Sequence, residues 1–295
     1  MGHKTIIQHE CNLLEFIKEL YPESPRTRIK KVLKFYQITC NGKAVALHSF
    51  RLHPGDVVEV KGSPGITKRA AAPFPVLFED QHVIAVEKPA GITTSSTDNS
   101  PSVYYILSQY LKDQSKGRIK AYVVHRLDKE VSGVLLFAKS EEAMRIIKDN
   151  WKETKKVYYA LVEGRPENPE GRIESWLVEG KNLKVYTIRI QTEEAKFAIT
   201  NYRTVKQLDK HTLLEVNIET GRKNQIRVHL SDMGCPIVGD RKYGASADFV
   251  RRIRLHAFFL SFPHPVSKEV ITVKSPLPKS FLVLKDRNEF YKGKH

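Results

Sequence analysis

Cysteine is scarce in this sequence: Cys11, Cys40 and Cys235 lie far apart and are odd in number. They form neither a disulfide framework nor a zinc-ligand spacing. Free thiols of this kind behave as small buried hydrophobes and suit a reducing cytoplasm. Long apolar runs are missing too. No stretch approaches the roughly 18 consecutive apolar residues of a spanning helix, so the sequence predicts no membrane span. The opening MGHKTIIQHE has no signal-peptide core, with His9 and Glu10 where one would sit. Position 6 is Ile6 rather than the Ser or Thr of a myristoylation signal. Acidic residues are the remaining shortage: 33 Asp+Glu face 49 Lys+Arg, a net charge of +16. Such an excess costs self-repulsion and is most simply explained by a polyanionic partner, with nucleic acid favoured over a bilayer. What is present is an ordinary apolar share, 41%, enough to exclude a mostly disordered chain. The 295 residues suggest two domains, or one with an appendage.

The seam between them is GSPGITKRAAAPFP, residues 62–75, whose prolines, glycines and alanine run predict a linker. Residues 1–61 form a small α+β unit. Leu13, Phe16, Ile17 and Leu20 have helical spacing, and Ser24-Pro25 opens a second helix. One face of that helix carries Arg26, Arg28, Lys30, Lys31 and Lys34 with no acid between them. A merely solvated face mixes signs, so this one predicts nucleic-acid contact. Asn41-Gly42 between β-formers predicts a hairpin turn, and Gly55-Asp56 precedes a Val-rich strand. Two helices, the second basic, followed by a small sheet resemble the RNA-binding S-four fold of a ribosomal small-subunit protein. From residue 76 to 295 strands dominate: HVIAVEK, VSGVLLFAK, VYYALVEG, KVYTIRIQT, FAITNYRTVKQL and TLLEVNIET. Helices are predicted at SVYYILSQYLKDQ, after Ser140, and at QIRVHLSDMG up to Gly234. Phe258, Phe259, Leu260 and Phe262 are expected core. Short connections between many strands argue for an α+β class with a mixed, largely antiparallel sheet.

The chemically informative segment is VVHRLDKEVSGVLLFAKS, residues 123–140. Asp128 sits in a loop between two apolar strands, with Arg126 two residues before it. A carboxylate there must be paired or solvated in a cleft, because burying it alone is prohibitive. The residues alone leave two readings open: a functional acid, or an Asp capping a turn against a neighbouring Arg. Glu130 lies too near Asp128 along the strand for the separation a two-carboxylate glycosidase uses. The histidines show no ligand spacing, and His125, His229 and His256 are expected to be structural hydrogen-bonders. No metal or cofactor is therefore expected. Arg222 and Lys223, with Arg241, Lys242, Arg251, Arg252 and Arg254, are candidates for phosphate contact.

HRLDKEVSGVLLFAKS resembles the catalytic motif of RluA-type pseudouridine synthases. So do VEKPAGI (86–92), KVYYALVEG (156–164), TGRKNQIRVHL (220–230), CPIVGDRKYG and LHAFFLSFPHP, in the family's order. The resemblance implies the pseudouridine synthase fold and RNA as partner, ribosomal RNA of the large subunit first and tRNA second, with no obligate protein partner. It implies Asp128 as the catalytic residue, Tyr158 against the target base, Arg227 paired with Asp128, and Arg126 helping displace the uridine. The reaction cleaves a glycosidic bond, rotates the base and rejoins it through carbon 5, after the base has been extruded from RNA structure. A carboxylate serves there as nucleophile or as base. Three positions depart from the family pattern: Val131 for Thr, Asn224 for His before Gln225, and Cys235 for His before Pro236. A non-catalytic RNA assembly factor is the rival reading, and the presence of Asp128, Tyr158 and Arg227 together argues against it. A base-removing hydrolase would need an activated water that no residue in the pattern supplies.

Overall fold

The structure, a computed structural model, describes residues 3–22, 29, 33, 37–45, 49–61, 72–96, 101–246, 252–278 and 281. The chain divides into two compact units, Met1–Ala70 and Ala71–His295. No helix among the described residues is long and apolar enough to cross a membrane.

The first unit contains β1 (His3–Ile6), β2 (Cys11–Asn12), α1 (Leu13–Leu20), β3 (Gln37–Cys40), β4 (Lys43–Ala44), β5 (Arg51–Leu52) and β6 (Val57–Lys61). A capping box starts α1: Glu15 N donates to Asn12 Oδ1, and Asn12 N donates to Glu15 Oε2. Its apolar stripe buries Leu13, Phe16 and Ile17 against Ile38, Leu52, Val58 and Val60. The sheet runs β1-β6-β3-β4, all antiparallel. Asn41 and Gly42 turn β3 into β4 with φ of 52° and 79°, the left-handed pair that a tight hairpin turn demands. Asn41 also braces β6, its Oδ1 accepting from Val57 N and its Nδ2 donating to Asp56 Oδ1. The basic segment with Arg26, Arg28, Lys30, Lys31 and Lys34 lies outside the described residues.

Among the described residues the second unit is one sheet of eleven strands with helices on it. Its elements are β7 (Val76–Glu79), β8 (Val83–Lys88), α2 (Val103–Gln114), β9 (Tyr122–Val123), β10 (Ser132–Ala138), α3 (Glu141–Asp149), β11 (Lys155–Glu163), β12 (Glu170–Glu179), β13 (Val185–Ile188), β14 (Lys196–Gln207), β15 (His211–Ile218), α4 (Gln225–Asp232), β16 (Leu255–Pro263) and β17 (Val270–Lys274). The order is β13-β12-β14-β15-β11-β16-β10-β8-β7, with β17 on β16 and β9 on β10. Among these strand pairs only β10–β16 is parallel, through Ser132↔His256 and Gly133↔Ala257. The mixed, largely antiparallel sheet expected from the sequence is therefore observed.

Every residue of β10 is buried. Its alternate side chains serve two cores: Leu135 and Phe137 pack with Val103, Leu107 and Leu111 of α2. Val134, Leu136 and Ala138 pack with Ala143 and Ile147 of α3. A strand covered on both faces reads as an unbroken apolar run, as VLLFA does. Ser140 caps α3 by accepting from Ala143 N, and Glu141 and Glu142 complement its N-terminal dipole. Gly133 makes the β10–β16 contact possible. Its φ is +119°, and a Cβ there would lie 2.1 Å from the Ala257 carbonyl oxygen.

Two details differ from expectation. EGRIESWLVE forms β12 although its alternating positions are mostly charged or half-exposed, because β13 and β14 pair with it along its length and Leu177 anchors it in a small core with Val185 and Ala198. Phe258 and Phe259 are only half-buried, whereas Leu260 and Phe262 are core. Tyr158 and Val157 of β11 face Ala257 and Phe259, so Phe258 is the extra residue of a bulge and tilts against Tyr159.

Candidate active site

Asp128 lies in the loop 124–131 that joins β9 to β10. Val131 N donates to Asp128 O at 3.1 Å and closes the turn beneath it. Where β9 ends, the His125 ring continues the pairing, its Nε2 accepting from Leu136 N at 3.0 Å. That role needs an unprotonated Nε2, and desolvation, helped by Lys156, pushes the ring down to about 3. The ring also stacks on Trp151. Leu127 is held by both backbone groups through Thr94 Oγ1, which donates to its carbonyl and accepts from its N–H.

Lys88 provides the other clamp. Its side chain is fully buried at the end of β8. The ammonium donates to the carbonyls of Pro89, Ile92 and Lys129 at 2.9, 2.7 and 3.1 Å. Gly91 N donates to the same Lys129 carbonyl. Burial pulls Lys88 down to about 8, opposed by the charges of Glu130 and Asp128. The Lys-Pro-x-Gly turn thus grips the loop at Lys129, one residue past Asp128.

Arg227 comes from α4. Gln225 ties the start of this helix to β14: its Oε1 accepts from Thr220 Oγ1 and Arg222 N, and its Nε2 donates to Ile199 O and Thr200 Oγ1. Two residues on, Arg227 Nη1 donates to Asp128 Oδ2 at 3.2 Å. Its Nε and Nη2 make a two-pronged pair with Asp240, at 2.6 and 2.8 Å. Nη1 is shared with Asn224 Oδ1 at 3.3 Å. The guanidinium carbon stands 4.9 Å from the Tyr243 ring centroid. Despite burial, Asp240 first and then Asp128 hold Arg227 above the usual arginine range.

Tyr158 stands on β11 beside the bulge and is buried. Burial, and after it the Asp128 charge, raises its hydroxyl well above the usual range, so it stays protonated. Asp128, Tyr158 and Arg227 line one open cleft with Leu127, Val131, Ile218 and Leu255. Arg126 and Arg222 are at the same cleft and exposed. Arg222 donates through Nε to Phe197 O, while Lys223, also exposed, is ion-paired with Glu179. Asp128, Tyr158, Arg227, Arg126 and Arg222 are thus brought together, and Lys223 stands to one side. Of the further cations, Arg252 is half-buried and reaches Ser132 Oγ, Arg254 is buried, and Arg251 lies outside the described residues. His229 bridges Thr200 and Ser175, and His256 bonds Ser132. Burial pushes both imidazoles down to about 4.

The three departures from the family pattern are accommodated. Val131 and Cys235 are buried in the main core, where neither needs a polar partner. Asn224, with φ of 54°, donates to Tyr243 Oη while accepting from Arg227. Lys88, Thr94, Asp240 and Tyr243 carry no role that the sequence motifs assign. The signal for Asp240 and Tyr243 lay in CPIVGDRKYG, where an acid follows an apolar run and an αL-prone glycine.

Residues 82–232 match the family described as RNA pseudouridylate synthase. The chain belongs to that family. It is an RNA pseudouridine synthase, an isomerase whose substrate is RNA. An Aquifex aeolicus protein named "Uncharacterized RNA pseudouridine synthase" is 32% identical over 92% of both chains. The "Ribosomal large subunit pseudouridine synthase D" of Xylella fastidiosa is 30% identical over 91% of this chain and 86% of its own. The "Ribosomal large subunit pseudouridine synthase C" of Rickettsia felis is 30% identical over 90% and 93%. The solved human RNA pseudouridylate synthase domain containing 4 shares the fold, with TM-score 0.61 and 23% identity over 70% of this chain and 90% of its own.

Proposed function

We propose that this pseudouridine synthase modifies uridines of large-subunit ribosomal RNA in the cytoplasm, with Asp128 acting on the ribose of a flipped uridine. The observation that carries the reading is the pair of Arg227 and Asp128, with Tyr158 beside it in the same cleft. Arg227 occupies Oδ2 and leaves Oδ1 for the reaction, whether as nucleophile or as base. Tyr158 supplies a ring for the base to lie on and a hydroxyl that remains a donor. Arg126, exposed at the rim, stacks where the base leaves. Arg222 and Lys223 face the phosphates. Two relatives that match over most of their length carry large-subunit names, which supports ribosomal RNA over tRNA. The N-terminal unit is an S-four-like RNA-binding domain in this reading, spanning 1–61 and tethered by 62–75, and its Asn41-Gly42 hairpin and Val-rich β6 support it.

Carbodiimide mapping of pseudouridine in total RNA tests this, comparing cells with the gene, without it, and with Asp128→Asn. Loss of specific large-subunit sites in the last two is expected, with RNA affinity of the purified Asp128→Asn protein within about twofold of the parent. Sites lost only from tRNA would move the substrate. Unaltered pseudouridine with Asp128→Asn would overturn the catalytic assignment and favour an RNA-binding assembly factor.

A further inference from the structure

We propose that Asp240 is the positioning residue of this active site: it, rather than Asp128, sets the orientation of the Arg227 guanidinium. The inference rests on the assignment of Asp128 and Arg227 given above.

A guanidinium offers its N–H groups in a rigid planar fork, so a two-pronged carboxylate fixes its plane while a single contact leaves it free to swing. Arg227 spends the two-pronged edge, Nε and Nη2, on Asp240 at 2.6 and 2.8 Å. It gives Asp128 only one Nη1 contact, at 3.2 Å, and divides that nitrogen with Asn224. The Asp240 side chain is 1% exposed, that of Asp128 31%. RNA can therefore reach Asp128 and cannot reach Asp240, which acts only through Arg227.

The turn that carries Asp240 also completes the socket. Tyr243 N and Ala245 N both donate to the Asp240 carbonyl, and Asp240 N donates to Ile237 O. One short segment thus presents a carboxylate to the edge of the guanidinium and the Tyr243 ring to its face. The ring is fixed in turn, because Tyr243 Oη accepts from Asn224 Nδ2 and from Val185 N. With two carboxylates on one cation, the cluster Asp128–Arg227–Asp240 carries a net negative charge. Arg227 consequently places Asp128 without being free to form a closed one-to-one pair with it.

The test is a kinetic cycle on the full chain with its RNA substrate, using Asp240→Asn, Arg227→Ala and the double variant, with Asp128→Asn as reference. Asp240→Asn should lower kcat by about 10–100-fold, the scale of an ångström-level misplacement. KM and RNA affinity should be unchanged. The double variant should match Arg227→Ala in kcat, as expected when one residue acts through another. A normal kcat for Asp240→Asn, or a further loss when it is added to Arg227→Ala, would overturn the proposal while leaving Asp128 in place. Full activity in Asp128→Asn would instead remove the reading beneath it.

A second measurement does not require the Asp240 variant to fold. In a 15N arginine side-chain spectrum, Arg227 should show slow guanidinium rotation that persists in Asp128→Asn, because Asp240 still holds it. Free rotation of Arg227 in Asp128→Asn would show that Asp128 does the holding, against the proposal.

Discussion

Gly133→Ala replaces a hydrogen by a methyl group where β10 meets β16. The φ of +119° is foreign to a residue with a side chain, which costs about 1–3 kcal/mol. The new Cβ would meet Ala257 O at 2.1 Å and Ala257 N at 2.6 Å, whereas real Cβ contacts essentially never fall under 3.0 Å. Both are backbone atoms and cannot rotate aside, so β10 and β16 must part by roughly an ångström. Their parallel contact comprises only Ser132↔His256 and Gly133↔Ala257, so parting them also removes hydrogen bonds worth about 1 kcal/mol each. Together the loss is about 3–5 kcal/mol, at the top of what single substitutions produce. Urea unfolding followed by tryptophan fluorescence measures it directly, because Trp151 and Trp176, the protein's two tryptophans, both belong to the second unit. The midpoint should fall by about 1–2 M for an ordinary urea slope. Pseudouridine formation should fall with it under conditions where the variant stays folded, since Gly133 follows Asp128 by five residues. A variant within about 0.5 kcal/mol of the parent would refute the close-approach reasoning.

Acid should destabilise the second unit before its carboxylates titrate. His125, His229 and His256 are held to about 3, 4 and 4 when folded, against about 6.5 when unfolded. The unfolded chain therefore binds more protons as pH falls from 6.5 to 4, and stability drops by up to about 1.4 kcal/mol per histidine per pH unit. Urea midpoints that hold steady or rise from pH 7 to pH 5 would contradict this. Lys88→Met should cost about 2–4 kcal/mol, since it removes the donor from three inward carbonyls, and should lower kcat more than RNA affinity. A variant as stable as the parent would mean that the ammonium is dispensable to the loop. Arg126→Ala should slow reaction on structured RNA more than on an unstructured oligonucleotide, because only a stacked base needs help to leave. Equal losses on both would make Arg126 a structural partner of the loop. Removing residues 1–64 should weaken RNA binding and flatten its salt dependence through loss of the cationic run. Chemistry on a saturating short substrate should survive, and its loss would place the N-terminal unit in the active site.

The strands that carry the site were legible because they are apolar enough to announce themselves. VSGVLLFAK is buried on both faces and reads as a continuous run, while LLEFIKEL shows a single stripe. Asn41-Gly42 and Ser140 announced a turn and a cap because each supplies a local conformation or acceptor that few residues offer. β12 was hidden, since Glu170, Arg172, Glu174 and Glu179 break any apolar alternation, and its one fully buried apolar side chain is Leu177. The site divided along the same line. Asp128, Tyr158 and Arg227 had roles implied by their motifs, whereas Lys88 in VEKPAGI and Asp240 in CPIVGDRKYG had none. Nothing local marks a charge as buried: Lys88 is enclosed by a carbonyl 41 residues away, and Asp240 by an arginine on another element. Burial of that kind is a property of the assembled sheet, invisible to any window of sequence.

The parallel pairing of β10 with β16 bears on synthesis. It joins strands whose partnered residues lie more than a hundred positions apart, and the site straddles it: Asp128 precedes β10, while Tyr158 and Arg227 come from β11 and α4. On the ribosome, Asp128 emerges 99 residues before Arg227. The strand that slots between β10 and β11 comes later still, at 255–263. Until β16 has left the exit tunnel and zipped into that gap, the nascent chain holds its acid and its arginine on unconnected half-sheets. In this topology the sheet that carries Asp128 and Tyr158 closes up between β10 and β11 only with nearly the last of the described strands.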